Sequence, residues 1–321
     1  MRPEQLQTAS PAGLYPPVTP YASGWLEVGD GHSIYWEECG NPRGIPAVFL
    51  HSGPGGGCTL ANRRLFNPQR YRILLFDQRG CGRSRSNVAL HANSTAHLID
   101  DLELLRYDRA IERWLMLGGS WGATLALAYA QAWPERVSAL ILRGVFTARR
   151  EELHWLYQEG ASWMYPEAWS QFIAPIPCDE RGNLLAAYHA RLHGAEVAFA
   201  LAAAQVWCAW EDEIMTLQPQ PQACGSAAQM LALARIQSHY FIHDAFIAEG
   251  SLIANADRLR HIPGVIVQGR HDAVTPPRTA WELQCAWPQA ELQIVADAGH
   301  ASSEPGILQA LIQATDAWAA F

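Results

Sequence analysis

The stretch that most constrains this chain is Leu115-Met116-Leu117-Gly118-Gly119-Ser120-Trp121-Gly122, continued by the alanine-rich run from Ala123 to Ala132. The apolar triplet reads as a buried strand, the glycine-flanked serine as a sharp turn and the alanine run as a helix. A G-x-S-x-G turn in that context is too tight for side chains at its ends. A Cβ at Gly118 or Gly122 would collide with the neighbouring strand or helix, and the serine between them is held in a strained, exposed pose. Ser120 is therefore the candidate nucleophile.

A serine hydroxyl is a poor nucleophile at neutral pH and needs a histidine base and a carboxylate that orients it. The chain order expected is Ser, Asp, His. Downstream, Pro263–Gly269 is an apolar, partly β-branched strand candidate that ends in Arg270-His271-Asp272. Asp272 sits where an orienting acid belongs, and the one-residue offset of His271 points that ring elsewhere. The strand candidate Ala290–Ala296 is followed by Asp297-Ala298-Gly299-His300, which makes His300 the candidate base. Upstream, Ala47–Leu50 leads into His51-Ser52-Gly53-Pro54-Gly55-Gly56-Gly57, a strand and then a loop nearly free of side chains. Such a loop turns a backbone N–H toward a developing oxyanion. One donor is assigned to the N–H of Gly53, with Ser52 the alternative, and the second to that of Trp121.

Glycine-rich loops also cradle phosphate, but the chain has neither a G-x-x-x-x-G-K-[ST] nor a strand followed by G-x-G-x-x-G, and it contains no lysine. Asp77, Gln78 and Arg79, at the end of the strand candidate Leu74–Phe76, are expected to brace the floor of the site by hydrogen bonding. The formal net charge of −8, with no basic stripe, argues against nucleic acid. No run approaches the roughly 18 apolar residues that span a bilayer. Met1–Gln5 has no apolar signal core, so the cytoplasm is the expected location. Seven cysteines without a C-x-x-C pair read as reduced packing thiols. His189 with His193 and His239 with His243 have i, i+4 spacing but no third ligand in a fitting pattern. No metal and no cofactor is expected, and the oligomeric state is left open.

Strand signals fall at Trp25–Val28, Ile34–Cys39, Ala47–Leu50, Arg72–Phe76, Trp114–Leu117, Val137–Arg143, Gly264–Gly269 and Ala290–Val295. Helical stretches separate the later ones, as in a mostly parallel sheet flanked by helices. From about Ala148 to Gly250 β-branched residues thin out, and Ala195–Ala209 and Ala227–Ala234 read as helices. The expectation is an α/β core of residues 1–147 and 251–321, with residues 148–250 inserted as a helical cap over Ser120.

The whole chain resembles the proline iminopeptidases of the α/β-hydrolase superfamily. The resemblance is carried by Leu14-Tyr15-Pro16, Tyr21–Trp25, Tyr35–Pro42, Asp77–Ser84, Gly118–Gly122, Trp155–Ser162 and Gly299-His300. It implies an α/β-hydrolase fold and release of an N-terminal proline from a peptide or small amide by acyl transfer to serine, with the triad on Ser120, Asp272 and His300. It also implies that cap glutamates bind the charged imino nitrogen. One of them falls on Glu211, within an acidic run that composition alone would read as a solvated face, although the adjacent Trp207 and Trp210 tilt it toward a buried edge. The second departs from the family: where the pattern is A-R-I-E before H-Y-F, this chain has Ala234-Arg235-Ile236-Gln237-Ser238-His239-Tyr240-Phe241. An amide still forms hydrogen bonds but carries no charge, and charge-assisted bonds contribute about 1.5–3 kcal/mol against about 1 for neutral ones. The alternative reading is thus a related serine amidase or esterase with shifted specificity. Ser52 is a smaller departure, in a position where the family has glycine. By the same resemblance, Phe146 and Tyr157 are candidate walls for the proline ring.

Overall fold

Within each central strand, successive apolar side chains enter two different cores. In β3 (Ile45–Leu50), Val48 and Leu50 join one buried cluster while Ala47 and Phe49 join the other. In β6 (Trp114–Ser120), Trp114 and Met116 face the first cluster and Leu115 and Leu117 the second. A sheet that buries both faces needs a helical layer on each side, and an uninterrupted apolar run is the sequence form it takes. The computed structural model describes residues 13–86, 89–218 and 225–319. Met1–Gln5 and Cys224 lie outside the described residues.

The sheet runs β1 (Ala22–Gly29), β2 (His32–Gly40), β4 (Tyr71–Asp77), β3, β6, β7 (Val137–Val145), β8 (Gly264–Gly269) and β9 (Ala290–Val295). A two-residue strand, β5 (Arg85–Ser86), pairs with β2. β1, β2 and β5 pair antiparallel, whereas the strands from β4 to β9 pair in parallel. All eight strands expected from the sequence are present. β5 was not expected, because two residues carry no periodicity.

The helices that position the site are α1 (Thr95–Asp108) and α2 (Trp121–Ala132), then α3 (Arg150–Tyr157), α4 (Pro166–Ile173), α5 (Leu184–Leu192), α6 (Val197–Met215) and α7 (Ala227–Ile242). They are followed by α8 (Ser251–Ala254), α9 (Pro277–Ala286) and α10 (Pro305–Ala319). Among the described residues, the chain between β7 and β8 contains helices and no strand. Two helices there run further than their alanine content suggests. α6 continues past Ala209 to Met215, which brings Glu211 into it. α7 starts at a capping box, in which Ser226 N–H donates to Gln229 Oε1 and Gln229 N–H donates to Ser226 Oγ. It continues past Ala234 because Ile236, Gln237, Tyr240 and Phe241 all turn inward.

The interior of this helical segment is aromatic. Phe172 stacks on Tyr188 with ring centroids 4.5 Å apart and on Trp210 at 5.6 Å, and Tyr157 stacks on Trp207 at 4.3 Å. These rings belong to the same continuous buried cluster as Trp121 and Leu125 of α2. Truncating Phe172 to alanine is expected to destabilise the fold by about 3–5 kcal/mol through lost burial and a residual cavity. The check is urea unfolding followed by tryptophan fluorescence, and a loss below about 1 kcal/mol would show that the aromatic layer is not structural.

Candidate active site

At the join of β6 and α2, Ser120 adopts φ 55° and ψ −122°, a left-handed pose that a residue with a side chain rarely takes. The neighbouring backbone imposes it. A Cβ on Gly118 would sit against the carbonyl of Gly122, and one on Gly122 against the carbonyl of Leu50, each far inside contact distance. The strand and helix therefore cross with no side chain between them, and Ser120 is left at the mouth of a pocket.

His300 and Asp272 reach the same mouth from the loops after β9 and β8. His300 Nδ1 lies 2.8 Å from Asp272 Oδ2, and both residues are buried. Asp272 is held firmly: Oδ1 accepts from the N–H groups of Val274 (3.0 Å) and Thr275 (2.7 Å), and Oδ2 from Gln268 Nε2 and Thr275 Oγ1 (both 3.0 Å). A carboxylate so arranged fixes the tautomer with the proton on Nδ1 and leaves Nε2 as an acceptor. Burial holds the His300 pKa below its ordinary value, with the Arg143 charge adding to the effect and the Asp272 charge opposing it. The ring is thus neutral and basic at neutral pH. His271, by contrast, is exposed.

In this structure Nε2 is occupied by an arginine. Arg143, at the C-terminal end of β7, donates from Nη1 to His300 Nε2 at 2.9 Å and to the His300 carbonyl at 2.9 Å. Ser120 Oγ makes no hydrogen bond to His300. Sequence reasoning missed Arg143; the available signal was a lone charge closing the apolar run Leu140-Ile141-Leu142.

The N–H of Gly53 donates to none of the described residues. Trp121 is the first residue of α2, so its N–H has no intrahelical acceptor. The two loops that carry these groups are tied together. Gln78 donates from its backbone N–H to His51 Nε2 (2.9 Å) and from Nε2 to the His51 carbonyl (3.1 Å), and its Oε1 accepts from Trp121 Nε1 (2.8 Å). Asp77 accepts from Cys58 N–H (2.7 Å) and Arg83 N–H (2.8 Å), which pins the far ends of the glycine loop and of the following turn. Arg79 is clamped instead by Asp101 at 2.7 Å. Asp77 and Gln78 thus brace the loops of the site as expected, whereas Arg79 bonds Asp101, Ala92 and Val28, none of which lines the pocket. Ser52 Oγ donates to the Gly119 carbonyl at 2.8 Å, so the serine that stands for the family glycine stitches its loop to the strand of the nucleophile.

The pocket has a volume of about 560 Å³, the size of a small-molecule site. Phe146, Tyr157, Glu211 and Gln237 all line it. Glu211 is half-buried and lines the pocket. Tyr157 OH donates to its Oε1 and Gln237 Nε2 donates to its Oε2 at 3.0 Å. Burial pushes the Glu211 pKa up to about 7 against these bonds. Gln237 Oε1 accepts from Trp207 Nε1 at 2.8 Å, which fixes the amide with its NH₂ toward Glu211. Phe241 also lines the pocket, edge-on to Phe146 at 5.8 Å. Neither Phe241 nor Trp207 was assigned a role from sequence, since buried aromatics look alike there. The histidine pairs make ring contacts, tilted with centroids 4.3 Å apart for His189 and His193 and edge-on at 5.0 Å for His239 and His243. No three metal-type side chains among the described residues are placed to hold an ion.

A parallel sheet with a serine elbow after β6, facing a histidine–aspartate pair, defines a serine hydrolase of the α/β-hydrolase class. The family model for the alpha/beta hydrolase fold matches residues 46–306. An esterase from Exiguobacterium antarcticum superposes with a TM-score of 0.63 at 18% identity, covering 94% of this chain and all of its own. One from Rhodococcus sp. ECU1013 gives 0.61 at 17%, covering 95% and 98%. Proline iminopeptidases are similar in sequence: that of Xylella fastidiosa (strain Temecula1) is 50% identical over 95% of this chain and 99% of its own length. That of Arabidopsis thaliana is 47% identical over 98% and 85%, and that of Neisseria meningitidis serogroup B 44% over 94% and 98%. The chain belongs to the proline iminopeptidase family.

Gly144, with φ 53°, lies under the His300 ring, and a Cβ there would come within 2.9 Å of Cε1 and Nδ1. Gly144→Ala is expected to displace the imidazole and lower kcat by roughly 100-fold, the scale of a misplacement near 1 Å, with an unchanged far-UV circular dichroism spectrum. Full activity in this variant would show that the ring is not held where the structure places it.

Proposed function

We propose that this protein is a prolyl aminopeptidase acting through an acyl-enzyme on Ser120. One juxtaposition carries the reading: the serine elbow and the His300–Asp272 pair open into the same aromatic pocket as the buried carboxylate of Glu211. The family membership supports it. His300, oriented by Asp272, takes the proton from Ser120 as Oγ attacks the carbonyl carbon of the N-terminal residue, and the N–H groups of Gly53 and Trp121 receive the oxyanion. For that transfer Nε2 must exchange Arg143 for Ser120. The leaving amine takes the proton from His300, and water then releases the acyl group by the same path in reverse. Phe146 and Tyr157 flank the ring of the substrate, and Glu211 pairs with its protonated nitrogen. We read residues 148–250 as the cap that supplies this pocket and residues 1–147 and 251–321 as the catalytic core. Cys39, Cys58, Cys81, Cys178 and Cys285 are free thiols, which suits a reducing, cytoplasmic setting. The substrate is a small peptide or amide.

The test is hydrolysis of L-proline p-nitroanilide beside the alanine and N-acetylproline anilides and p-nitrophenyl acetate. The free-proline anilide is expected to be preferred, and Ser120→Ala is expected to abolish turnover of all four. Activity that survives in Ser120→Ala would remove the nucleophile assignment.

A second reading, an amidase or esterase of shifted specificity, is favoured by one observation: Gln237 spends its oxygen on Trp207 and turns only a donor toward the nitrogen subsite. Gln237→Glu is expected to raise kcat/KM for the free-proline anilide by about 10-fold, the difference between a neutral and a charge-assisted bond. No gain, with good turnover of the acetate ester, would favour this second reading.

Glu211 also sets a pH dependence. Its pKa is raised to about 7, so the carboxylate is present above that pH and is lost as pH falls through it. Below pH 7 a protonated imino substrate must ionise Glu211 in order to bind, which raises KM. The N-acetyl substrate has no such demand. A KM for free proline that stays flat through this range would contradict the pairing.

A further inference from the structure

Arg143 is 7% exposed and forms part of the pocket wall beside Gly119, Ser120 and His300. The other well-buried arginines have carboxylates: Arg79 meets Asp101 at 2.7 Å and Arg106 meets Glu103 at 2.7 Å. Arg143 makes no ion pair with any described residue. Its acceptors are neutral: the ring nitrogen and carbonyl of His300, both at 2.9 Å, and Ser52 Oγ at 3.4 Å. Burial lowers its pKa to about 10, which leaves it charged at neutral pH. The Asp272 carboxylate acts on it only at longer range, and a buried charge with no carboxylate in hydrogen-bond contact is costly. A guanidinium offers five N–H donors in a fork that fits a carboxylate.

The catalytic reading above, on which this inference rests, makes a carboxylate at that place. When water opens the acyl-enzyme, its oxygen adds to the carbonyl carbon and the Ser120 Oγ–C bond breaks. His300 passes the water proton to Oγ, and the acid released loses its own proton to solvent. The substrate carbonyl carries one oxygen, which sits at the N–H groups of Gly53 and Trp121. The product carries two, and the second, which came from water activated by His300 Nε2, points toward His300. Arg143 Nη1 stands at that atom. We propose that Arg143 is a carboxylate subsite on the acyl side of the pocket that holds the α-carboxylate of the released imino acid. It distinguishes product from substrate because only the product brings a negative charge and a second oxygen. Free imino acid is therefore a product inhibitor, and bound carboxylate draws Nη1 away from Nε2.

The experiment measures equilibrium binding to Ser120→Ala protein, which cannot turn over, by calorimetry. L-proline is expected to bind at least about 10-fold more tightly than L-prolinamide, which shares the ring and the nitrogen but has no charge at the carboxyl. In Ser120→Ala/Arg143→Met the advantage is expected to vanish while prolinamide affinity holds, and Arg143→Lys is expected to restore part of it. Equal affinity for acid and amide in Ser120→Ala protein overturns the proposal whether or not the Met variant folds. So does an advantage that persists without Arg143. The dipeptide Pro-Gly is compared with its amide in parallel, and a carboxylate preference confined to that pair would move the subsite to the leaving-group side and overturn the acyl-side assignment. Failure of the aminopeptidase reading is seen separately, as absent turnover of prolyl p-nitroanilide by the unaltered enzyme.

Discussion

Where β6 crosses into α2, the backbones of Gly118 and Gly122 meet with no room for a single carbon atom between them. Everything chemical in the molecule is arranged around that contact. It forces Ser120 into a left-handed conformation, starts α2 immediately behind the serine and so leaves the Trp121 N–H without a helical acceptor. The close approach of Gly122 to the Leu50 carbonyl also brings the glycine loop after β3 beside the elbow. Nucleophile and both candidate oxyanion donors thus depend on one backbone crossing. Gln78 secures the arrangement by bonding His51 of one loop and the Trp121 indole of the other.

Two ionisable groups in the pocket are kept away from their solution behaviour by burial, in opposite senses. The Glu211 carboxylate is made harder to ionise, and the His300 imidazole harder to protonate. Both effects favour neutrality in the empty site. In the proposed reaction a cationic substrate nitrogen reverses the first by pairing with Glu211, and transfer of the Ser120 proton reverses the second with Asp272 in support. Arg143 differs from both: it stays ionised at neutral pH, with the Asp272 carboxylate acting on it at longer range.

Much of this was legible in the chain. The eight principal strands were visible because strands buried on both faces are continuous apolar runs, and the elbow because its glycines are a steric necessity. Asp272 and His300 were visible because each ends a strand in the expected order. Less legible were the ends of α6 and α7. Alanine content marks their first halves, but Trp210, Ile214, Tyr240 and Phe241 extend them through packing against other helices. Glu211 was ambiguous, since Asp212 and Glu213 follow it in an acidic run while Trp207 and Trp210 beside it point to a buried edge. Its burial comes from Tyr157, 54 positions away, and from Gln237 on α7.

The sequence by itself determined the class of fold and singled out the candidate nucleophile and its candidate partners, since these rest on local sterics and on the order in which strands end. Only the tertiary structure decided how the pocket is tuned. It turned the Gln237 amide by giving its oxygen to Trp207, used the Ser52 hydroxyl to join its loop to β6, and set the Arg143 guanidinium against His300 with no carboxylate in hydrogen-bond contact. The physical reason is the range of the contacts. Arg143 and His300 are 157 residues apart, and a hydrogen bond between side chains on a strand and a distant loop leaves no periodicity, spacing or compositional trace in the chain.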